Sequence, residues 1–132
     1  ISMIKKERLY DAFGELIYAL AMADGEVQEE ELNTLERILN HHPFAKEIKW
    51  SFDYENAKQN SVEEAYEKAI IACKENGPDP EYKYLLDVLM EVAEAFDGIV
   101  PQEEKIIEGF KTELRQRFIK DITSYKLGDF DV

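Results

Sequence analysis

Apolar residues recur every three or four positions along almost the whole chain, and that spacing admits helices and little else. Leu9, Phe13, Leu16, Leu20 and Ala23 form one stripe, and Leu32, Leu35, Ile38 and Leu39 a second. Val62, Ala65, Tyr66, Ala69, Ile70 and Cys73 form a third. A fourth runs from Tyr82 through Leu85, Leu86, Leu89, Val92 and Ala93 to Phe96, and a fifth through Ile106, Ile107, Phe110, Leu114, Phe118 and Ile122. The gaps hold helix-stopping residues: Gly25, His41-His42-Pro43, Asn76-Gly77-Pro78-Asp79-Pro80 and Gly98. Ser61-Val62-Glu63-Glu64 has the form of a capping box, and Pro101 suits the first turn of a helix. The expected fold is all-α: one domain over residues 1–132, a bundle of about five main helices. Leu16, Leu20, Leu35, Ile38, Leu89, Val92, Ile107 and Phe110 are expected to be buried together. A chain of 132 residues buries enough surface to fold without a disulfide or a structural metal.

Residues 44–60 depart from this period. Trp50, Phe52 and Tyr54 alternate with polar residues as a strand would. A lone strand has no partner here, so the expectation is a short helical turn or an ordered loop that packs its aromatics on the core.

Acidic residues outnumber basic ones 29 to 16, a formal charge of −13. Phosphate backbones recruit Lys and Arg, so this balance excludes a duplex-binding protein, and no nucleic-acid partner is expected. It favours divalent cations or a protein partner instead. No apolar run is long enough for a membrane span. The N-terminal Ile1-Ser2-Met3-Ile4-Lys5-Lys6 has no signal-peptide pattern, and Cys73 is the single cysteine. The expected location is cytoplasmic.

Two segments are alike. Leu16–Glu31 aligns without gaps on Leu89–Glu104, and six of sixteen positions are identical. The identities are Leu16/Leu89, Asp24/Asp97, Gly25/Gly98, Val27/Val100, Glu30/Glu103 and Glu31/Glu104. They cluster at the inter-helix turn rather than on the apolar stripes. This implies two pseudo-symmetric helix hairpins, about 9–40 and 82–120, whose Asp-Gly turns can share one surface. Asp24, Glu31, Asp97 and Glu104 are the candidate metal ligands, with Glu30 and Glu103 as further candidates. Carboxylates gathered without bases repel one another, and an oxygen-only set suits Ca²⁺ or Mg²⁺, bound weakly. The pattern is not an EF-hand. Its first and third loop positions would be Leu20 and Met22, or Ala93 and Ala95, and none of these can ligate calcium. The alternative is structural: each Asp caps the helix that follows and each Glu serves its dipole.

Leu16-Ile17, then Ala21-Met22-Ala23-Asp24-Gly25, Val27 and Glu31, with a second copy around Asp97-Gly98, resembles the TerB-like tellurite-resistance family. It is similar also to the related domain of membrane-anchored J-domain co-chaperones. The resemblance covers both repeats, about half of the chain. It implies an all-α bundle with pseudo-twofold halves and an acidic surface that binds divalent metal, with Asp24, Asp97, Glu31 and Glu104 at the matching positions. The second copy departs from the pattern, with Phe96 before the Asp and Pro101 after Val100.

The remaining constellations read as structure. His41-His42 point too far apart on a helix to share a metal and suit a helix C-terminus. Cys73 sits on an apolar stripe as core. No nucleophile, base or phosphate loop is legible, and no enzyme activity is expected. The leading expectation is a non-enzymatic stress-response domain whose acidic face engages a cation or a protein partner. The runner-up is an interaction module without metal.

Overall fold

The structure, a computed structural model, describes residues 2–95 and 98–124, with side chains from 7 to 95 and 98 to 119. It is all-helical among those residues: α1 Ser2–Ala21, α2 Glu29–Leu39, α3 Ala45–Lys58, α4 Val62–Asn76, α5 Glu81–Glu94 and α6 Pro101–Ser124. No helix among them is long and apolar enough to cross a membrane.

Helix α1 is the pillar. Every residue from Ala12 to Ala21 is buried, so this helix is surrounded rather than laid on a surface by one stripe. α3 and α4 pack most extensively on it, and α5 and α6 also touch it. The two hairpins interlock reciprocally, with α2 on α5 and α6 on α1, as a pseudo-twofold arrangement requires. Leu16, Leu20, Leu35, Leu89, Val92, Ile107 and Phe110 share the core, and Ile38 packs half-buried against it. Phe96 and the Ile122 side chain lie outside the described residues.

Residues 45–58 correct the sequence reading, because they form a full helix rather than a turn or loop. Ile48, Ser51, Phe52 and Glu55 face inward at helical spacing. Of the three aromatics only Phe52 is buried, and Trp50 and Tyr54 face outward. The apparent alternation arises because positions 50 and 54 share the outer face of a helix. Gln59 ends α3 in the left-handed conformation, φ 52°.

Helix ends follow local chemistry. Gly25 and Gly98 adopt φ 99° and 77° where the chain leaves α1 and α5, conformations that disfavour a side chain. Ser61 caps α4 by accepting the Glu64 N–H at 3.1 Å. The Glu64 carboxylate accepts the Ser61 hydroxyl at 3.4 Å rather than the backbone amide, so the box is half-built. Ser61→Ala is expected to cost about 1 kcal/mol, read by urea unfolding.

His42 does more than end a helix. Its ring stacks on Tyr84 and meets Tyr10 edge-on. Nδ1 accepts the Phe44 N–H at 3.0 Å, which leaves Nε2 to donate to Glu81 Oε1 at 2.9 Å. Tyr10 donates to the same oxygen at 2.8 Å, so this cluster ties α1 to the start of α5.

Candidate functional site

The site is made where the two repeats turn. After α1 the chain tightens through Ala23 N–H to Leu20 O and Gly25 N–H to Met22 O. Asp24 is exposed, and its carboxylate accepts the Glu26 N–H at 3.3 Å. It therefore braces its own turn and does not cap α2, contrary to the structural alternative drawn from sequence. The cap is Gln28, whose N–H donates to Glu31 Oε1 at 2.8 Å. The second repeat repeats the device, with Val100 N–H donating to Glu103 Oε1 at 3.1 Å.

Glu31 and Glu103 thus occupy the same position of their helices, the third residue after the cap. Both are buried, 3% and 2% exposed, and they lie close enough for each to shift the other's titration. Two ionised carboxylates side by side in a buried setting repel each other, so the pair favours keeping a proton. Burial pushes the Glu31 carboxyl up to about 8, the Glu103 contact and the Asp24 charge add to the rise, and the bond from Gln28 opposes it. Burial also raises Glu103, again with Asp24 adding.

The structure brings together Glu31, Glu103 and, at longer range, Asp24. Glu104 and Glu30 are exposed on the outer faces of α6 and α2. The ungapped repeat pairs Glu31 with Glu104, but the partner in space is Glu103. Pro101, as first residue of α6, moves the cap to Val100, so the helix register slips by one from the alignment. Counting three residues from that cap finds Glu103 without a structure. Asp97 lies outside the described residues. Among the described residues, no three His, Cys, Asp or Glu side chains are grouped so as to hold a metal ion. The pair offers two oxygen donors in a dry setting, with Asp24 contributing charge.

A second buried polar cluster escaped the sequence reading. Glu55, 1% exposed, accepts Lys68 Nζ at 2.6 Å and Asn60 Nδ2 at 2.9 Å. Glu15 on α1 is raised by burial and held down by Arg8 and Lys68. These groups join α1, α3 and α4, and Tyr18 adds a bond from its hydroxyl to Asn60 O at 2.7 Å. Glu55 was findable only once α3 was read as a helix, since it then falls on the buried stripe with Ile48 and Phe52. Cys73 is fully buried and its thiol is pushed up to about 12 by that burial, which leaves it no nucleophilic character.

No family model, curated protein or solved structure matches the chain. The resemblance to TerB-like proteins therefore rests on the repeated Asp-Gly-x-Val motif and the acids that follow it.

Proposed function

We propose that this chain is a non-enzymatic, TerB-like stress-response domain whose two repeats bind one divalent cation, Ca²⁺ or Mg²⁺, and that the bound state is read by a protein partner. The observation that carries the reading is the buried Glu31–Glu103 pair, one carboxylate from each repeat, both raised by burial. A cation and a proton compete for such a pair, because either relieves the same repulsion. Glu31 and Glu103 supply oxygen donors, Asp24 adds negative charge, and the sequence repeat offers Asp97 as its counterpart. The hard-cation preference follows from an all-oxygen donor set. The second reading, an interaction module without metal, is favoured by one observation: each carboxylate of the pair already accepts a backbone amide at its own helix cap.

Calorimetric titration with CaCl₂ and with MgCl₂ tests this. The expected dissociation constant is on the order of 10⁻⁴–10⁻³ M, because water must complete the shell. Binding should release protons near neutral pH, seen as a heat that changes with the ionisation enthalpy of the buffer. Glu31→Gln and Glu103→Gln should abolish it, Asp24→Asn should weaken it, and Glu104→Gln should leave it intact. A response that all four variants share is charge screening, and the metal reading then gives way to the interaction module.

A further inference from the structure

One face of α3 is largely exposed, with Lys68 of α4 reaching over it to 5.9 Å from the centre of the Tyr54 ring. Lys46, Trp50, Tyr54 and Lys58 follow at four-residue intervals, so the helix presents cation, two aromatics and cation along one side, over roughly 18 Å. Trp50 is 60% exposed and Tyr54 43%. Their rings stack at 5.5 Å and 19°, and Lys58 Nζ lies 5.4 Å from the centre of the Tyr54 ring. Among the described residues, neither Lys46 nor Lys58 has a carboxylate partner, whereas Lys49 is held by Asp53 and Lys68 by Glu55 and Glu15. Beside Trp50 a groove of about 680 Å³ runs between α2 and α3, lined by Leu39 and Ala45 together with Lys46, the Lys49–Asp53 ion pair and Glu36.

We propose that this face docks an acidic amphipathic helix of a partner protein. Its apolar residues would seat in the α2–α3 groove against Trp50, and its carboxylates would meet Lys46 and Lys58. Charge complementarity selects the occupant. In a chain of −13, two bases without a carboxylate partner here bracket the exposed indole of Trp50. A stacked, preorganised Trp–Tyr pair is the kind of anchor that dominates interface energetics. Aromatics with lysines also suit single-stranded nucleic acid, but each nucleotide adds a charge that the −13 field repels. A second copy of the chain brings the same repulsion. A peptide with a few carboxylates and an apolar face gains both local contacts and meets less of that field.

Trp50 is the chain's single tryptophan, so its emission reports the site directly. A phage-displayed library of helix-biased peptides, about 16 residues long, is panned on the full chain with counter-selection on Trp50→Ala. Enriched peptides are then synthesised and their binding read by Trp50 emission and by anisotropy. They are expected to carry carboxylates flanking an apolar pair at three- or four-residue spacing, and to shift Trp50 emission to the blue. Lys46→Glu with Lys58→Glu should weaken them on the order of tenfold. Trp50→Ala should weaken them by about 30-fold or more. Unchanged melting temperatures are expected for these variants, because all three side chains are exposed. The proposal fails if nothing is enriched, if the peptides lack acids, or if the lysine reversals leave binding unchanged. It fails equally if an oligonucleotide of about 12 bases binds more tightly than the peptides. A dimer that disappears in Trp50→Ala would assign the face to a second copy and overturn the acidic partner.

Discussion

Glu31→Gln is expected to stabilise the protein by about 1–3 kcal/mol at pH 8 and to change stability little near pH 5, in cation-free buffer. The sign follows from where the proton is held. The Glu31 carboxyl titrates near 4.5 when unperturbed and near 8 in the fold. Below the lower value both states carry the proton, and the pair contributes its full stabilisation. Between the two values the folded state binds more protons than the unfolded one, so stability falls as pH rises and levels off above about 8. Glutamine mimics the protonated acid. Its carbonyl can accept the Gln28 N–H and its amide can donate to Glu103, with nothing left to lose on raising the pH. Urea unfolding of both proteins across this window is the measurement. A wild-type stability that is flat over the window, or a variant weaker at both ends, would show that Glu31 does not keep its proton in the fold. Added calcium should restore stability to the wild type at high pH and leave Glu31→Gln unmoved, which links this experiment to the proposed site.

The same pair marks how far the sequence could be read. That the acids after the two turns repay attention was legible from the repeat, because identity at Asp24/Asp97 and Gly25/Gly98 has no explanation in core packing. Which glutamates meet was not, because an ungapped alignment carries no helix register; the proline at position 101 does. The five periodic stripes all became helices, since each buries a face that local propensity already favours. α3 was missed for the opposite reason. Its outer face bears Trp50 and Tyr54, so apolar side chains stand on both sides and the helical period is masked. The burial of Glu55 was hidden with it, since a glutamate reads as surface until the helix containing it is placed against α1. Lys68, thirteen residues away on another helix, makes that burial tolerable, and no local pattern announces such a pair.

Gly14→Ala is expected to destabilise the fold by about 3 kcal/mol or more, although alanine is the better helix former by about 1 kcal/mol. Propensity alone gives the opposite sign, so the result discriminates between the two. Gly14 sits where α1 crosses α3. A β-carbon there would lie 2.5 Å from Ile48 O, 2.6 Å from Ser51 Cβ and 2.8 Å from Phe52 N. Two of these three are backbone atoms, which no rotamer change can move aside, so the helices must separate. Separation would break the bond from Ser51 Oγ to Asp11 O, now 2.6 Å, and loosen Phe13 and Phe52 in the core. The close approach is built from both sides, since Ser51 is the one small residue on the inward stripe of α3. Ser51→Ala tests the partner side separately. It keeps the space and removes only the hydroxyl, and should cost about 1 kcal/mol, well short of the glycine variant. Thermal and urea unfolding of the two variants decide the matter. If Gly14→Ala were as stable as wild type, α1 and α3 would not approach this closely, and the exposed face of α3 would have to be placed anew.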